Sequence, residues 1–411
     1  MTDTSRELGV GQVGYAFMGA AHSQAWRTAP SFFDLPLAPR LRALCGRDAA
    51  AAQAVADRFG WESVESDWHA LIARDDIDLI DICTPGSTHV EIAVAALRAG
   101  KHVLCEKPLA NTVEEAELMA EAAAEAATRG VYAMVGFTYR RTPALTFARQ
   151  LVAVGRLGTI RHVRAQYLQD WLTDADAPLS WRLDKTLAGS GALGDIGAHL
   201  VDAAQFLTGS AISSVSGVLQ TFVDSRPVAG DHGTLGGSGS ADAERGPVTV
   251  DDAAAFTARF DNGALGVFEA TRFATGRKNA MRLEISGSDG ALAFDFEEMN
   301  LLHFYDATEP AETAGFRRIV VTEPTHPYAG AWWPAGHGLG YEHGFTHQVV
   351  DLVNAIAAGE QPTPSFADGL SVQRVLAAVE ASAMDESRHQ KVPHDAGTAE
   401  GPHAGRQGGA S

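Results

Sequence analysis

The sequence predicts an α/β fold in two parts, a doubly wound parallel sheet followed by an α+β domain built on a mostly antiparallel sheet. Three observations predict it. From Leu8 to about Val135, short β-like runs alternate with helical stretches, as in a parallel sheet covered by helices. After about Arg141, alternating runs follow one another with little helix between them, which suits an antiparallel meander. The chain of 411 residues, 45% hydrophobic, also exceeds the ~100 to 200 residues of a single domain. The expected divisions are 1–140, 141–390 and a disordered tail at 391–411.

In the first part, strands are read at 8–13, 41–45, 79–83, 102–105 and 132–137, and amphipathic helices at 91–98 and 113–128. One helical stretch follows Arg141. Strands of the second part are read at 161–168, 253–260, 265–271, 281–286, 291–295 and 301–305. The Gly-, Ser- and Asp-rich segment 224–248 reads as a mobile excursion, and 326–340, rich in Gly, Pro and Trp, as a loop aromatic enough to contact something. Helical patterns at 345–358 and 368–384 close the fold, and no internal repeat is found. Beyond Lys391 the polar, glycine-rich composition predicts disorder.

A formal net charge of -19 repels the phosphate backbone, so nucleic acid is not expected as a partner. The N-terminal segment lacks the pattern of a secretory signal, and no stretch approaches the ~20 apolar residues of a bilayer span; a soluble, cytoplasmic protein is expected. Cys45, Cys83 and Cys105 lie far apart inside apolar runs, which suits buried reduced thiols rather than a disulfide framework or zinc, and no metal is expected.

Two glycine registers stand near the start. Gly9, Gly11 and Gly14 spell G-x-G-x-x-G but leave no room for a preceding strand, which the fingerprint requires. Gly14, Ala16 and Gly19 follow the strand and open a helix with Phe17 and Met18, the arrangement of a Rossmann dinucleotide site. Gly14 permits the tight turn, Ala16 sits where backbone approaches the pyrophosphate, and Gly19 allows helix to pack on strand. Ala16 adds one methyl facing the phosphates. After the second strand the ribose-binding acid is missing, and Gly46 and Arg47 stand in its place. That pair leans towards NADP by making room for a 2′-phosphate and pairing with its charge. Asp48 either caps the next helix or reaches the ribose, so NAD and NADP both stay open. Thr84 and Pro85 turn the chain at the carboxyl edge of the sheet, where cofactor and substrate meet.

Cys105-Glu106-Lys107-Pro108 follows a strand directly, so Lys107 emerges over the same crevice, its backbone restricted by the proline. Its ammonium is suited to hydrogen-bond a reacting oxygen. Further on, a glycine-rich turn at 189–194 runs into a helix whose core face is Ile196, Leu200, Ala203 and Leu207. Asp195, His199 and Asp202 form a polar stripe at i, i+4 and i+7 beside it. Oxidising an alcohol needs a base as hydride leaves, and imidazole serves near neutrality; His199 is the expected base.

These motifs, GYAFMGAAHS, DICTPGSTHVEIAVAALRAGKHVLCEKPLA, GFTYRR and GALGDIGAHLVD, occur in the order of the glucose-fructose oxidoreductase and inositol dehydrogenase (Gfo/Idh/MocA) family, which the chain resembles to about Lys391. YLQDW, PLSWR and HPY resemble the levoglucosan dehydrogenases and related pyranoside 3-dehydrogenases within it. The resemblance implies catalytic positions at Lys107, Asp195 and His199, with His199 or Lys107 as proton acceptor and donor. Cofactor contacts are expected from the fingerprint, from Gly46 and Arg47, and from Thr84, Pro85, His89, Glu106 and Lys107. It implies a sugar pocket at Tyr139, Arg140, Gln169, Trp181 and Arg182 together with the three catalytic residues. Trp171, Trp181, Trp332 and Trp333 suit either an apolar wall for a pyranose or core packing.

The implied reaction moves a hydride between nicotinamide and a secondary alcohol of a sugar, glycoside or anhydrosugar, at C3 of a pyranose. Alternatives are an inositol or cyclic polyol dehydrogenase, a sugar oxidoreductase that recycles a tightly bound cofactor, and a non-catalytic dinucleotide sensor. A homodimer or homotetramer formed through the open face of a large second-domain sheet is also implied. Ala16 and Thr138 depart from the family pattern.

Overall fold

Strands alternate with helices in the N-terminal part, the central ones buried on both faces: β1 (Glu7–Val13), α1 (Phe17–Phe32), β2 (Ala38–Cys45), α2 (Ala49–Phe59), β3 (Ser63–Glu65), α3 (Trp68–Ile72), β4 (Leu79–Ile82), α4 (His89–Arg98), β5 (His102–Cys105), α5 (Val113–Ala127) and β6 (Ala133–Val135). The structure is a computed structural model and describes residues 6–228 and 244–394. The six strands are parallel in the order β3-β2-β1-β4-β5-β6. The order reverses between β1 and β4, and a ligand crevice is expected at the carboxyl ends there. Strand β3 and helix α3 were not anticipated, because three and five residues are too short to show a period.

The second part runs through α6 (Pro143–Ala153), β7 (Ile160–Leu168), α7 (Lys185–Ala188), α8 (Ala198–Thr208), β8 (Ile212–Gln220), β9 (Ser225–Pro227), β10 (Arg245–Pro247), β11 (Ala253–Phe260), β12 (Leu265–Thr271), β13 (Ala280–Gly287), β14 (Gly290–Asp295), β15 (Leu301–Asp306) and β16 (Arg317–Val320). Helices α9 (Tyr341–Ala358) and α10 (Phe366–Met384) and the short β17 (Gln390–Lys391) follow. Nine strands form one sheet, β16-β15-β14-β13-β7-β12-β11-β8-β17. It is not a simple meander: β7 lies between β12 and β13 and pairs with β12 in parallel. The long connection that carries α8 over one face separates β7 from its successors, and a parallel neighbour needs such a crossover. In β11, Ala254, Phe256, Ala258 and Phe260 face the core while Ala255, Thr257 and Arg259 face out. Helices α8 and α10 cover the inner face, and Val218, Leu265 and Val267 are exposed on the outer one.

Two expectations change and a third is met. The ends of 224–248 pair as the β9–β10 ribbon, and Arg226 is buried there, donating to the carbonyls of Leu172, Asp174 and Ala177. Residues 229–243 lie outside the described residues. The tail begins later than 391, since Lys391 pairs with β8 and buried Val392 donates its N–H to Ser213; the expected disorder from 395 onwards lies outside the described residues. Finally, the aromatic loop 326–340 meets the N-terminal domain. Trp332 packs on Phe32 and Phe33 and donates its indole N–H to Nε2 of His347 at 2.8 Å.

Helix α9 also returns to the first domain, placing Phe345, Val349 and Val353 in one core with Val10, Trp26 and Ala29. Arg141 bonds Asp351, and Thr138 donates to Gln348, so the two parts are held together around the crevice. All three cysteines are buried and free, and no described helix is long and apolar enough to cross a membrane.

Candidate active site

The turn after β1 is shaped for a dinucleotide. Gly14 has φ +101°, and a Cβ there would lie 2.7 Å from the Cys83 carbonyl, so only glycine fits. The Gln12 amide donates to the carbonyls of Gly14 and Gly19 at 2.9 and 3.0 Å, pinning strand to helix. Ala16 is the N-cap of α1 and offers no side-chain acceptor, and no acid occupies the first turn. Orphan N–H groups and the helix dipole therefore face the crevice, an arrangement that fits a pyrophosphate. Ala16 and Phe17 are exposed there, Met18 is half-buried and Gly19 is buried.

At the end of β2, the space beside Gly46 is taken by the Tyr15 ring, 2.2 Å from where a Cβ would stand. Gly46 therefore makes room for Tyr15 rather than for a phosphate. Arg47 is exposed, and Asp48 proves to be the cap of α2, accepting from Ala51 N–H at 3.0 Å. Buried His89 braces the site from behind: Nε2 lies 2.9 Å from the Thr84 carbonyl and Nδ1 3.1 and 3.2 Å from those of Pro108 and Leu109. This ties the Thr84-Pro85 turn to the loop that carries Lys107. Glu106 is likewise buried, bonded to protein rather than open to the crevice.

Lys107 leaves β5 and reaches the C-terminal domain, where Nζ donates to the Asp195 carbonyl at 2.5 Å and to its Oδ1 at 3.3 Å. Asp195 sits in a π-helical turn, Leu193–Gly197, that opens α8, where an unbroken α-helix was expected. Burial pushes the Asp195 carboxyl up, but Lys107, Arg272 and Arg182 together outweigh it and hold it at about 2. His199 follows one turn later, buried, its ring stacked on Tyr139 with centroids 4.4 Å apart. Burial first, and then the Lys107 ammonium, hold His199 well below its ordinary value against the pull of Asp195. Its Nδ1 is buried without a hydrogen-bond partner. The structure thus brings Lys107, Asp195 and His199 together where the domains meet.

The other candidate pocket residues divide. Tyr139 and Gln169 belong to one network: Tyr139 donates to Tyr167 (2.7 Å), Tyr167 and Gln169 both donate to Asn279 Oδ1 (2.7 and 2.8 Å), and Trp171 donates to Gln169 (2.9 Å). Trp181 is partly exposed with the Arg182 guanidinium 4.5 Å over its ring, and Arg182 bears electrostatically on Asp195. Arg140, by contrast, is spent on Asp202, with Nε at 2.9 and 3.0 Å and Nη2 at 2.6 Å from its oxygens. Asp202 therefore does not join the stripe of Asp195 and His199. Trp332 and Trp333 lie against Phe32, with ring centroids 4.3 and 5.5 Å away.

Residues 8–137 match the model of the oxidoreductase family with an NAD-binding Rossmann fold, and 145–293 match the GFO/IDH/MocA C-terminal domain. The chain is 42% identical to the levoglucosan dehydrogenase of Pseudarthrobacter phenanthrenivorans over 385 residues, 93% of this chain and 97% of that one. The chain belongs to the Gfo/Idh/MocA oxidoreductase family. Among solved structures, an oxidoreductase domain protein from Kribbella flavida is 68% identical with a TM-score of 0.90, covering 95% of this chain and 100% of that one. A levoglucosan dehydrogenase in complex with NADH and levoglucosan is 41% identical with a TM-score of 0.87, at 95% and 100% coverage. This member of the family is thus an NAD-binding oxidoreductase, which displaces the non-catalytic sensor.

Two residues of this Gfo/Idh/MocA site escaped the sequence reading. Asp251 is buried and accepts from the N–H groups of Gly191 (2.7 Å) and Leu193 (2.8 Å), while its carbonyl takes Ala192 N–H at 3.0 Å. It caps the turn that carries Asp195, and a Cβ on Gly191 would fall 1.7 Å from the Asp251 carbonyl. Arg272, completely buried over the Trp171 ring, lies 3.7 Å from Asp195 Oδ2 and donates from Nη2 to the Asp251 carbonyl at 2.9 Å. Its Nε and Nη1 have no hydrogen-bond partner. The available signal was an Asp pair at the start of one strand and an arginine just past the end of its neighbour, which period-2 reasoning discards as strand ends.

Proposed function

We propose that this enzyme oxidises a secondary hydroxyl of a pyranoside or anhydropyranose, at C3, in reversible exchange with a nicotinamide cofactor. The observation that carries the reading is the meeting of Lys107, Asp195 and His199 at the mouth of the parallel sheet. A relative 42% identical over nearly the whole chain is a levoglucosan dehydrogenase, which supports the sugar class. A nicotinamide held at the turn of Gly14, Ala16 and Gly19 would supply the acceptor for the hydride of the carbinol carbon. Asp195 occupies two of the three Lys107 donors, leaving the third for the reacting oxygen. The ammonium favours the alkoxide form of that hydroxyl, and neutral His199 takes its proton. Tyr139, Gln169 and the Arg272 Nε–H, which has no hydrogen-bond partner, suit the remaining hydroxyls, each of which needs a partner once buried.

Turnover is tested with pyranosides, anhydrosugars and inositols, each with NAD and NADP. Turnover of a pyranose-ring substrate with a 3-keto product is expected; turnover confined to inositols would replace the substrate class. In the same assay, kcat/KM is expected to stay level as the pH falls through 6.5, because a depressed His199 remains neutral there and protonates only further down. An acid limb at 6.5 or above would remove His199 as the base.

For the cofactor we retain a lean towards NADP, now resting on Arg47 alone, which is exposed and has no ion-pair partner among the described residues. Arg47→Ala is expected to weaken NADP about tenfold or more and NAD by less than about twofold. Parallel losses in direct binding titrations would end that lean. Buried reduced thiols suit a cytoplasmic enzyme, and fractionation to another compartment would overturn that placement. The open sheet face, with Leu265 and Val267 exposed beside the Arg164–Glu284 pair, suits a homodimer or homotetramer. A purely monomeric mass by light scattering would exclude it.

A further inference from the structure

Beneath the cofactor helix lies a set of titratable groups that proton transfer does not use. His22, on the inner face of α1, is buried between two carboxylates: Nδ1 lies 2.9 and 3.0 Å from the oxygens of Asp81, and Nε2 lies 3.0 Å from Oε1 of Glu106. Carboxylates only accept, so both ring nitrogens donate and the ring is an imidazolium. Burial alone would lower its affinity for that proton, but Asp81 and Cys83 outweigh burial and raise it well above the ordinary range. Asp81 also takes the Trp26 indole N–H at 2.8 Å and the Cys83 thiol at 3.5 Å. His22, Asp81 and Cys83 have their donor atoms close enough together to suggest a metal site. Both imidazole nitrogens are already engaged, however, and the cluster is complete as a buried ion pair.

The second oxygen of Glu106 accepts the backbone N–H of Lys107 at 3.2 Å. We propose that His22 is a positioning residue for Lys107: it clamps Glu106, Glu106 fixes the peptide from which the lysine departs, and α1 is thereby coupled to the proton-transfer group. A neutral side chain at 22 would leave two buried carboxylates close together without a counter-ion, and Glu106 would lose the partner that fixes it. The proposal rests on Lys107 being catalytic.

The test uses full-length His22→Gln and Glu106→Gln, alone and on Lys107→Met, with hydride transfer followed by stopped flow and cofactor Kd by fluorescence titration. Each is expected to slow hydride transfer about tenfold or more, since small displacements of a reacting group are costly in rate. Cofactor Kd should move less than about threefold. On Lys107→Met the further loss should be under about threefold, because nothing is left to position. An unchanged rate, or the same loss in both backgrounds, overturns the proposal; the latter is the mark of a merely structural residue. Glu106→Gln carries the same test if His22→Gln does not fold. Full turnover by Lys107→Met alone would show that the catalytic reading had failed, before His22 is altered.

Discussion

Lys107→Met is expected to lower kcat on the best pyranoside by about 10²- to 10⁴-fold, with cofactor Kd held within about threefold. That loss corresponds to about 3 to 5 kcal/mol of barrier. Methionine keeps the length and most of the apolar stem but removes the donor that Asp195 aims. It also removes a cation that keeps the Asp195 carboxyl low and His199 neutral. The fingerprint turn and the His89 brace do not depend on Nζ, so dinucleotide binding should survive. Single-turnover absorbance of the reduced nicotinamide separates the two quantities. A variant that binds cofactor normally and turns over at the wild-type rate would remove Lys107 from the chemistry.

Asp251→Ala is expected to destabilise the protein by about 3 kcal/mol and to lower kcat by about tenfold or more. The carboxylate accepts from two buried N–H groups, and orphaning each costs about 1 to 3 kcal/mol, partly relieved if water enters. The kinetic loss follows because that turn carries Asp195 and, one turn on, His199, and misplacing either by a fraction of an ångström acts on the barrier. Asp251→Asn keeps an acceptor oxygen and should recover part of both losses. Denaturant titration measures the first effect and steady-state kinetics the second. Equal damage from Asn and Ala would mean that charge, not the acceptor, holds the turn.

The first domain was legible because its central strands are buried on both faces, and buried parallel strands are continuous apolar runs that survive in any window. The fingerprint was legible for a different reason: at Gly14 the backbone itself excludes every side chain, so the residue type records the geometry. Lys107 and His199 stood out because each follows a local signal, a strand end in one case and a glycine turn in the other. Arg140 misled, since a polar residue near a predicted crevice looks the same whether it meets ligand or a buried partner such as Asp202. Asp48 was undecided between cap and ribose for the same reason, and the cap hydrogen bond settled it.

From the sequence by itself came the element types, the doubly wound first domain, the glycine turn after β1 and the three residues, Lys107, Asp195 and His199, to which proton transfer is assigned under the proposed function. All of these are local, set by periodicity, by backbone sterics or by side-chain chemistry within one segment. The tertiary structure alone decided that β7 sits between β12 and β13, that α9 completes the core of the first domain, that Asp251 and Arg272 meet the turn of Asp195, and that His22 meets Glu106. Each of those depends on contacts between segments dozens to hundreds of residues apart, and a buried charge is defined by the partner that neutralises it, which no single stretch of chain contains.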